Sequence, residues 1–187
     1  MSKTIRCAVK TNDFQLLIYT IGCFYTIDNH EITSFRKEEE FVPDKRILIL
    51  NNEVNKEWIQ IEFEVLHPHE LDELIRRITF ESNNVAFFMF RQTVDETLRF
   101  VFFSQGVTVR SYYQEYLRHH QQLRVMENFG AFLSFENELE EKLFFQIVTE
   151  EKDSKYDNLK VFFNQVGFLW DGLEEADFHY LSLSGYK

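Results

Sequence analysis

The stretch from Val85 to Tyr113 constrains the fold most, because it has the pattern of three consecutive strands joined by short turns. It consists of the runs VAFFMFRQ, TLRFVFFSQG and VTVRSYY, with the polar segment TVDE between the first two. Gln105 and Gly106 suit a two-residue turn, since glycine tolerates a positive φ without a Cβ clash. The segment 85–113 therefore predicts an antiparallel meander, which we expect at the centre of the sheet.

Side chains alternate between the two faces of a strand, so fixing the turns assigns every meander residue to a face. A four-residue loop at 93–96 and a two-residue turn at 105–106 place Phe102 opposite Val109 and Val101 opposite Arg110. One face is then uniformly apolar and is the expected core: Val85, Phe87, Met89, Leu98, Phe100, Phe102, Val107 and Val109. The other face mixes apolar, polar and cationic side chains: Phe88, Phe90, Arg99, Val101, Phe103, Thr108, Arg110 and Tyr112. A mixed face is either half-covered by a helix or left open for a partner.

Further strands are predicted from runs rich in β-branched, leucine and aromatic residues. These runs are 5–9, 14–27, 46–50, 58–66 and 178–184. In the run 58–66, apolar residues alternate with polar and acidic ones, which is typical of a strand with one solvated face. The segment 28–40 is polar and predicts a solvated loop or a short helix. The segment 114–126 fits either a helix or an extension of the third meander strand.

Helices are predicted where apolar residues recur at helical spacing. Pro68 is well placed to open one, because the N–H that proline lacks has no partner in the first turn. Its apolar stripe consists of Leu71, Leu74, Ile75 and Ile78. Ser134 and Ser154 are candidate N-caps for two more helices. The expected fold class is α+β: a mostly antiparallel sheet of about six or seven strands with the meander 85–113 at its centre, and about three helices packed mainly on one face.

Composition bounds the class of protein. The 187 residues include only two prolines and six glycines, which argues against linkers and for a single compact domain over 1–187. A net charge of −11 weighs against binding to nucleic acid or to an anionic membrane surface, since both require excess cationic side chains. No apolar run is long enough to span a bilayer, and the N-terminus does not resemble a signal peptide. We expect a cytoplasmic protein.

Motifs for catalysis, cofactors or metals were sought and not found. The chain has no GxSxG, no phosphate-binding loop and no GxGxxG segment. His67 and His69 flank a proline, and the neighbours His119 and His120 would diverge by about 100° on a helix. Neither pair has the spacing of a zinc site. We expect no metal, cofactor or catalytic residue.

The two cysteines, Cys7 and Cys23, lack the spacing of a metal or redox motif. In a cytoplasmic protein they are expected to be reduced, buried thiols.

One candidate binding surface lies on the mixed face of the predicted meander. Between residues 99 and 124 the chain has four arginines against one glutamate, in a protein that is acidic overall. The predicted register brings together Arg99, Arg110, Tyr112, Phe88 and Phe90. Arginine and aromatic side chains on a partly apolar surface are typical of protein hot spots and of anion sites. The alternative is internal pairing of these arginines with the acidic segments 134–151 or 171–177.

A second candidate surface is acidic and centres on Glu138, Glu140 and Glu141. Acidic surfaces of this kind bind basic partners or mimic nucleic acid, but they are also common as solvated helix faces. The first functional hypothesis is a non-enzymatic cytoplasmic protein that binds another protein, in its most concrete form an inhibitor or immunity-type neutraliser of a basic partner. The alternative is a small-molecule or anion-binding module, with or without catalytic activity, on the Arg/Tyr-lined sheet face. A third hypothesis is a homo-oligomer that associates through its aromatic face.

Overall fold

A computed structural model of the chain describes residues 3–34, 46–51, 57–64, 68–92, 97–117, 122–131 and 177–186. In chain order the described elements are β1 (Lys3–Lys10), α1 (Phe14–Phe24), β2 (Tyr25–Thr33), β3 (Arg46–Asn51), β4 (Trp58–Glu64), α2 (Pro68–Ser82), β5 (Val85–Gln92), β6 (Thr97–Ser104), β7 (Val107–Leu117), β8 (Gln122–Phe129) and β9 (Phe178–Tyr186).

All of the described strands belong to one sheet, in the order β2-β9-β3-β4-β1-β5-β6-β7-β8. Every pairing between these strands is antiparallel. The predicted α+β class with an antiparallel sheet is confirmed, although nine strands are described where six or seven were expected. The meander β5–β6–β7 lies towards one end of the sheet, so the prediction that it is central was wrong. Strand β1, from the start of the chain, occupies the middle.

The segment 14–27 was predicted to be a strand, but most of it forms helix α1. The side chain of Asp13 accepts a hydrogen bond from the backbone N–H of Leu16 at 2.9 Å, which caps the N-terminus of the helix. Leu17 and Ile21 lie one turn apart and are buried. The cap and this one-turn spacing favour a helix, and they outweigh the strand preference of the aromatic and β-branched side chains.

Two polar segments that were predicted loosely are strands. Strand β2 takes in the first part of the segment 28–40, which was expected to be a loop or short helix, and pairs with β9. The described residues of the segment 114–126, which fits either a helix or a strand extension, are strand: β7 continues to Leu117, and β8, from Gln122, pairs back along it. These additions account for the larger sheet.

Helix α2 begins at Pro68 as predicted, and its four stripe residues are fully buried. It packs with α1 against one face of the sheet. The main core lies between these helices and the sheet and includes Cys7, Val9, Leu17, Ile21, Ile59, Ile61, Leu71, Leu74, Ile75, Ile78, Phe88, Phe90, Val101, Phe103, Leu181 and Leu183. The helices predicted from Ser134 and Ser154 fall outside the described residues.

The first hairpin of the meander has the predicted register, and the second differs from it by one residue. Phe88 pairs with Val101 and Phe90 with Arg99 as expected. After the turn, Phe103 pairs with Thr108 but Phe102 pairs with Arg110, which leaves Val109 as an extra, bulged residue. Because one inserted residue reverses the face of every side chain that follows, the predicted Phe102–Val109 and Val101–Arg110 pairs are wrong.

A glycine on the next strand lies against this bulge. Gly130, just after β8, has a φ of +86°, and a Cβ built on it would lie only 2.0 Å from the carbonyl oxygen of Val109. A side chain at position 130 is therefore sterically excluded, and glycine permits the close backbone approach.

Candidate binding surface

Arg99 lies on the helix-covered face and is held by α2. Its Nη1 donates to Oδ1 of Asp72 at 3.1 Å, and Nη2 donates to Oδ2, so the guanidinium binds the carboxylate with two parallel hydrogen bonds. The guanidinium also lies 5.9 Å from the centroid of the Phe88 ring. Both charged side chains are mostly buried. Arg99 is therefore paired internally with an acid of α2. The acidic segment 134–151 and most of the segment 171–177 lie outside the described residues.

Arg110 lies on the opposite face and is only 1% exposed. Its Nη1 donates to the carbonyl oxygens of Ser111, at 2.9 Å, and Phe129, at 2.8 Å. The guanidinium lies 5.5 Å from the ring centroid of Phe100 and 5.9 Å from that of Tyr112. Arg110 therefore connects three neighbouring strands, β6, β7 and β8, through two carbonyl contacts and two cation–π contacts.

The rings on this face form a ladder across strands β5, β6 and β7. Phe87 stacks with Phe100 at 5.8 Å between centroids, and Phe100 stacks with Tyr112 at 5.6 Å. The hydroxyl of Tyr112 donates to Oε1 of Gln114 at 2.7 Å. The face expected to be apolar core is thus buried at Phe87 and Phe100, but it also contains Arg110 and Tyr112.

The structure does not bring the five predicted binding residues together. Phe88, Phe90 and Arg99 lie on the helix-covered face, whereas Arg110 and Tyr112 lie on the other. Phe88 and Phe90 belong to the buried core. Anion binding by these residues stays a prediction, but the geometry offers no single surface on which all five meet. Glu138, Glu140 and Glu141 lie outside the described residues, so their role as a partner surface also stays a prediction.

The described residues offer no metal-type cluster of side chains. No group of three or more His, Cys, Asp or Glu side chains in that part of the chain converges on a common point. His67, His119 and His120 fall outside it. Within the same part, no helix combines the length and the hydropathy that crossing a bilayer requires.

Both cysteines are free thiols. Cys7 is buried, and burial raises the pKa of its thiol, because the low-dielectric surroundings disfavour the thiolate. Cys23 lies on α1 and is exposed, so the expectation that both thiols are buried was wrong for this residue.

Four exposed apolar side chains lie on α2, β7 and β8. Val107 lies opposite Ser104, on the same face as Phe100, whereas Phe129 lies opposite Ser111, on the helix-covered face, and Phe80 adjoins the β6–β7 turn. We call Phe80, Val107, Val109 and Phe129 the turn patch. They are 60%, 63%, 39% and 55% exposed, respectively. Val107 and Val109 were predicted to be core residues. That prediction was wrong, because this part of β7 is exposed to solvent. An alternating pattern predicts which side chains share a face, but it does not show how far along the strand that face is buried.

Backbone contacts fix the turn patch in place. The N–H of Gly106 donates to the hydroxyl of Thr79 at 3.1 Å, and the N–H of Gln105 donates to the carbonyl of Asn84 at 2.8 Å. A Cβ built on Gly106 would lie 2.9 Å from Cβ of Phe80, so α2 and the turn are in close contact. These contacts hold the turn and the exposed ring of Phe80 in a defined relative position.

A histidine pair joins β2 and β9, at the edge of the sheet opposite β8. Nε2 of His30, on β2, is 3.0 Å from Nδ1 of His179, on β9, which is a hydrogen bond if one ring carries the proton and the other accepts it. Phe14, at the start of α1, stacks on His179 with 4.4 Å between ring centroids. The pKa of His179 is lowered, mainly by burial and then by the charge of His30, with Asp177 acting in the opposite direction.

The lowered pKa of His179 predicts a loss of stability on acidification. A histidine with a lower pKa in the folded than in the unfolded chain stabilises the fold fully above its unfolded pKa, near 6.5, and this contribution falls as the pH drops towards the folded value. The urea midpoint should therefore decrease between about pH 7.5 and about pH 5.5. A His179→Gln variant should show a flatter decrease than the parent chain. Equal slopes for the two proteins would contradict the assignment.

Comparison with protein-family models, with curated proteins and with solved structures finds no match to this chain.

Proposed function

We propose that this chain is a non-enzymatic protein that works by binding another protein, and that the turn patch is part of the contact surface. The observation that carries the proposal is the exposure of four large apolar side chains, Phe80, Val107, Val109 and Phe129, at one end of the sheet. These side chains lie on α2 and on the adjacent strands β7 and β8, and exposed apolar side chains on adjacent elements are characteristic of protein contact sites.

The construction of the patch supports this function. Arg77 is ion-paired with Glu81 and lies with its guanidinium 5.6 Å from the centroid of the Phe80 ring, so an ion pair borders the apolar surface. The hydrogen bonds from the turn to Thr79 and Asn84 fix the turn against the end of α2, next to Phe80, before any partner arrives. Pre-ordered contact residues lose little conformational entropy on binding, which favours affinity.

The charge of the chain suggests the kind of partner. A net charge of −11 speeds association with a basic protein and disfavours contact with acidic ones. An inhibitor or immunity-type neutraliser of a basic effector remains the most concrete form of the proposal, with Glu138, Glu140 and Glu141 as its proposed acidic contacts. The proposed compartment is the cytoplasm.

Affinity capture from a lysate of the source cells tests this function. The tagged chain is incubated at low ionic strength and eluted with a salt step, and the eluate is identified by mass spectrometry. A basic protein should be recovered in stoichiometric amount, and replacing Glu138, Glu140 and Glu141 with lysine should weaken its retention.

Patch variants with matched controls make the test specific to the site. Val107→Asp and Phe129→Asp place a charge in the turn patch, whereas Ile32→Asp and Tyr19→Asp place the same charge at positions outside the patch that are 58% and 70% exposed. Recovery of the partner should fall at least about tenfold for the patch variants, the loss expected when a charge is buried in an apolar contact, and stay unchanged for the controls. Undiminished capture by folded patch variants would contradict the proposal.

A further inference from the structure

Strand β8 is the last of the described strands on its side of the sheet. An edge strand presents backbone N–H and C=O groups along its outer side, which can pair with a strand from another chain. Arg124, Val125, Met126 and Asn128 are all exposed on this strand. The side chains of Arg124 and Glu127 form no hydrogen bond or ion pair with the residues that the structure describes.

An irregularity in β8 places two opposite charges on the same face. Tyr113 pairs with Glu127 and Gln114 pairs with Val125, which leaves Met126 as an extra residue. Arg124 lies opposite Glu115. Glu115 and Tyr113 share a face, and the hydroxyl of Tyr113 donates a hydrogen bond to Oε2 of Glu115 at 2.9 Å. Arg124 and Glu127 therefore lie on one face, whereas residues three apart in a regular strand lie on opposite faces.

We propose that β8 pairs with β8 of a second copy of this chain, antiparallel about a two-fold axis. The axis passes between Val125 and Met126, so that Arg124 of each copy lies opposite Glu127 of the other. Directly opposed residues in an antiparallel pair must share a face, and the bulge at Met126 meets this condition. A two-fold contact of this type is isologous, since the same strand supplies both halves.

Charge complementarity favours a second copy as the occupant of this edge. Charged side chains protect edge strands from self-pairing when like charges meet. In this register each Arg124 lies opposite a Glu127 of the other copy. Val125 and Met126 form the apolar centre of the contact, so the strand is complementary to itself. Phe129 belongs both to β8 and to the turn patch, but Arg124, Val125, Met126 and Glu127 do not belong to the patch, and the inference does not depend on the proposed partner.

Sedimentation equilibrium over a range of protein concentrations, supported by light scattering after gel filtration, tests the inference. The chain should exist in a reversible monomer–dimer equilibrium. Arg124→Glu and Glu127→Arg should each weaken dimerisation by at least about tenfold, because each replaces two attractive contacts with two repulsive ones. The double variant Arg124→Glu/Glu127→Arg should restore dimerisation to within about threefold of the parent. Lys10→Glu is the control, since Lys10 is exposed on a strand in the middle of the sheet.

Amide hydrogen exchange gives a readout that does not depend on the variants. Backbone amides between Val125 and Asn128 should become more protected as protein concentration rises, whereas those of β2, at the far edge, should not. A monomer at every concentration would overturn the proposal, as would a dimer that the charge changes do not affect or that the double variant does not restore. A different protein bound along β8 of a monomeric chain would also overturn it.

Discussion

Replacing Arg110 with methionine is expected to lower the free energy of unfolding by about 3 kcal/mol. The substitution removes the donor to the carbonyls of Ser111 and Phe129, and water cannot easily take its place at Ser111, because Arg110 and Ser111 are each 1% exposed. It also removes the cation that lies 5.5 Å from the ring centroid of Phe100 and 5.9 Å from that of Tyr112. Methionine retains much of the aliphatic volume of arginine, so the decrease in the free energy of unfolding reflects mainly the lost contacts of the guanidinium. Urea denaturation measures the change.

Two comparisons show whether the guanidinium contacts cause this loss. Arg124→Met changes the same residue type on β8, where the side chain is exposed, and should alter stability by no more than about 0.5 kcal/mol at concentrations where the chain is monomeric. Arg110→Lys keeps the charge but not the planar fork, and should lose part of the stability. A small effect of Arg110→Met, similar to that of Arg124→Met, would contradict the described register of β7.

Replacing Gly130 with alanine is expected to lower the free energy of unfolding by about 3 kcal/mol. An added Cβ would lie 2.0 Å from the carbonyl oxygen of Val109 and 3.1 Å from Cα of Arg110. Both neighbours are backbone, so relief requires β7 and β8 to move apart. The φ of +86° adds the strain that an L-residue with a side chain meets in the left-handed region.

Gly185 is the matched control for this substitution. It also has a positive φ, +57°, but an added Cβ would find its nearest neighbour, Oγ1 of Thr26, at 3.9 Å. Gly185→Ala should therefore lower the free energy of unfolding by the cost of the backbone strain alone, about 1 kcal/mol. If the two variants lost equal stability, the close approach of Gly130 to the Val109 bulge would be wrong.

The features that the sequence predicted well depend on local information. The register of β5 against β6 followed from a short loop and from alternation, and α2 from Pro68 and its stripe of four apolar residues. Each of these signals lies within about thirty residues. Helix α1 was not predicted, because its aromatic and β-branched residues favour a strand. The N-cap at Asp13 is the local signal in the sequence that points to a helix.

The five residues of the predicted binding surface lie on two faces of the sheet for a non-local reason. The face on which Arg110 lies depends on the bulge at Val109, and the glycine that packs against that bulge, Gly130, is about twenty residues further along the chain. Likewise, nothing near Arg99 in the sequence points to Asp72 as its partner, because α2 and β6 meet only in the folded chain. The turn patch was not predicted, because Val107 and Val109 have the same alternating pattern as buried strand residues.

The most direct test of the proposed function is photocrosslinking in the source cells. A photoreactive phenylalanine analogue is placed at position 107, in the turn patch, or at position 32, an exposed apolar position in β2, at the opposite edge of the sheet. Protein binding through the turn patch predicts one discrete adduct with a basic protein from position 107 and none from position 32. No adduct from position 107, or the same adducts from both positions, would contradict it.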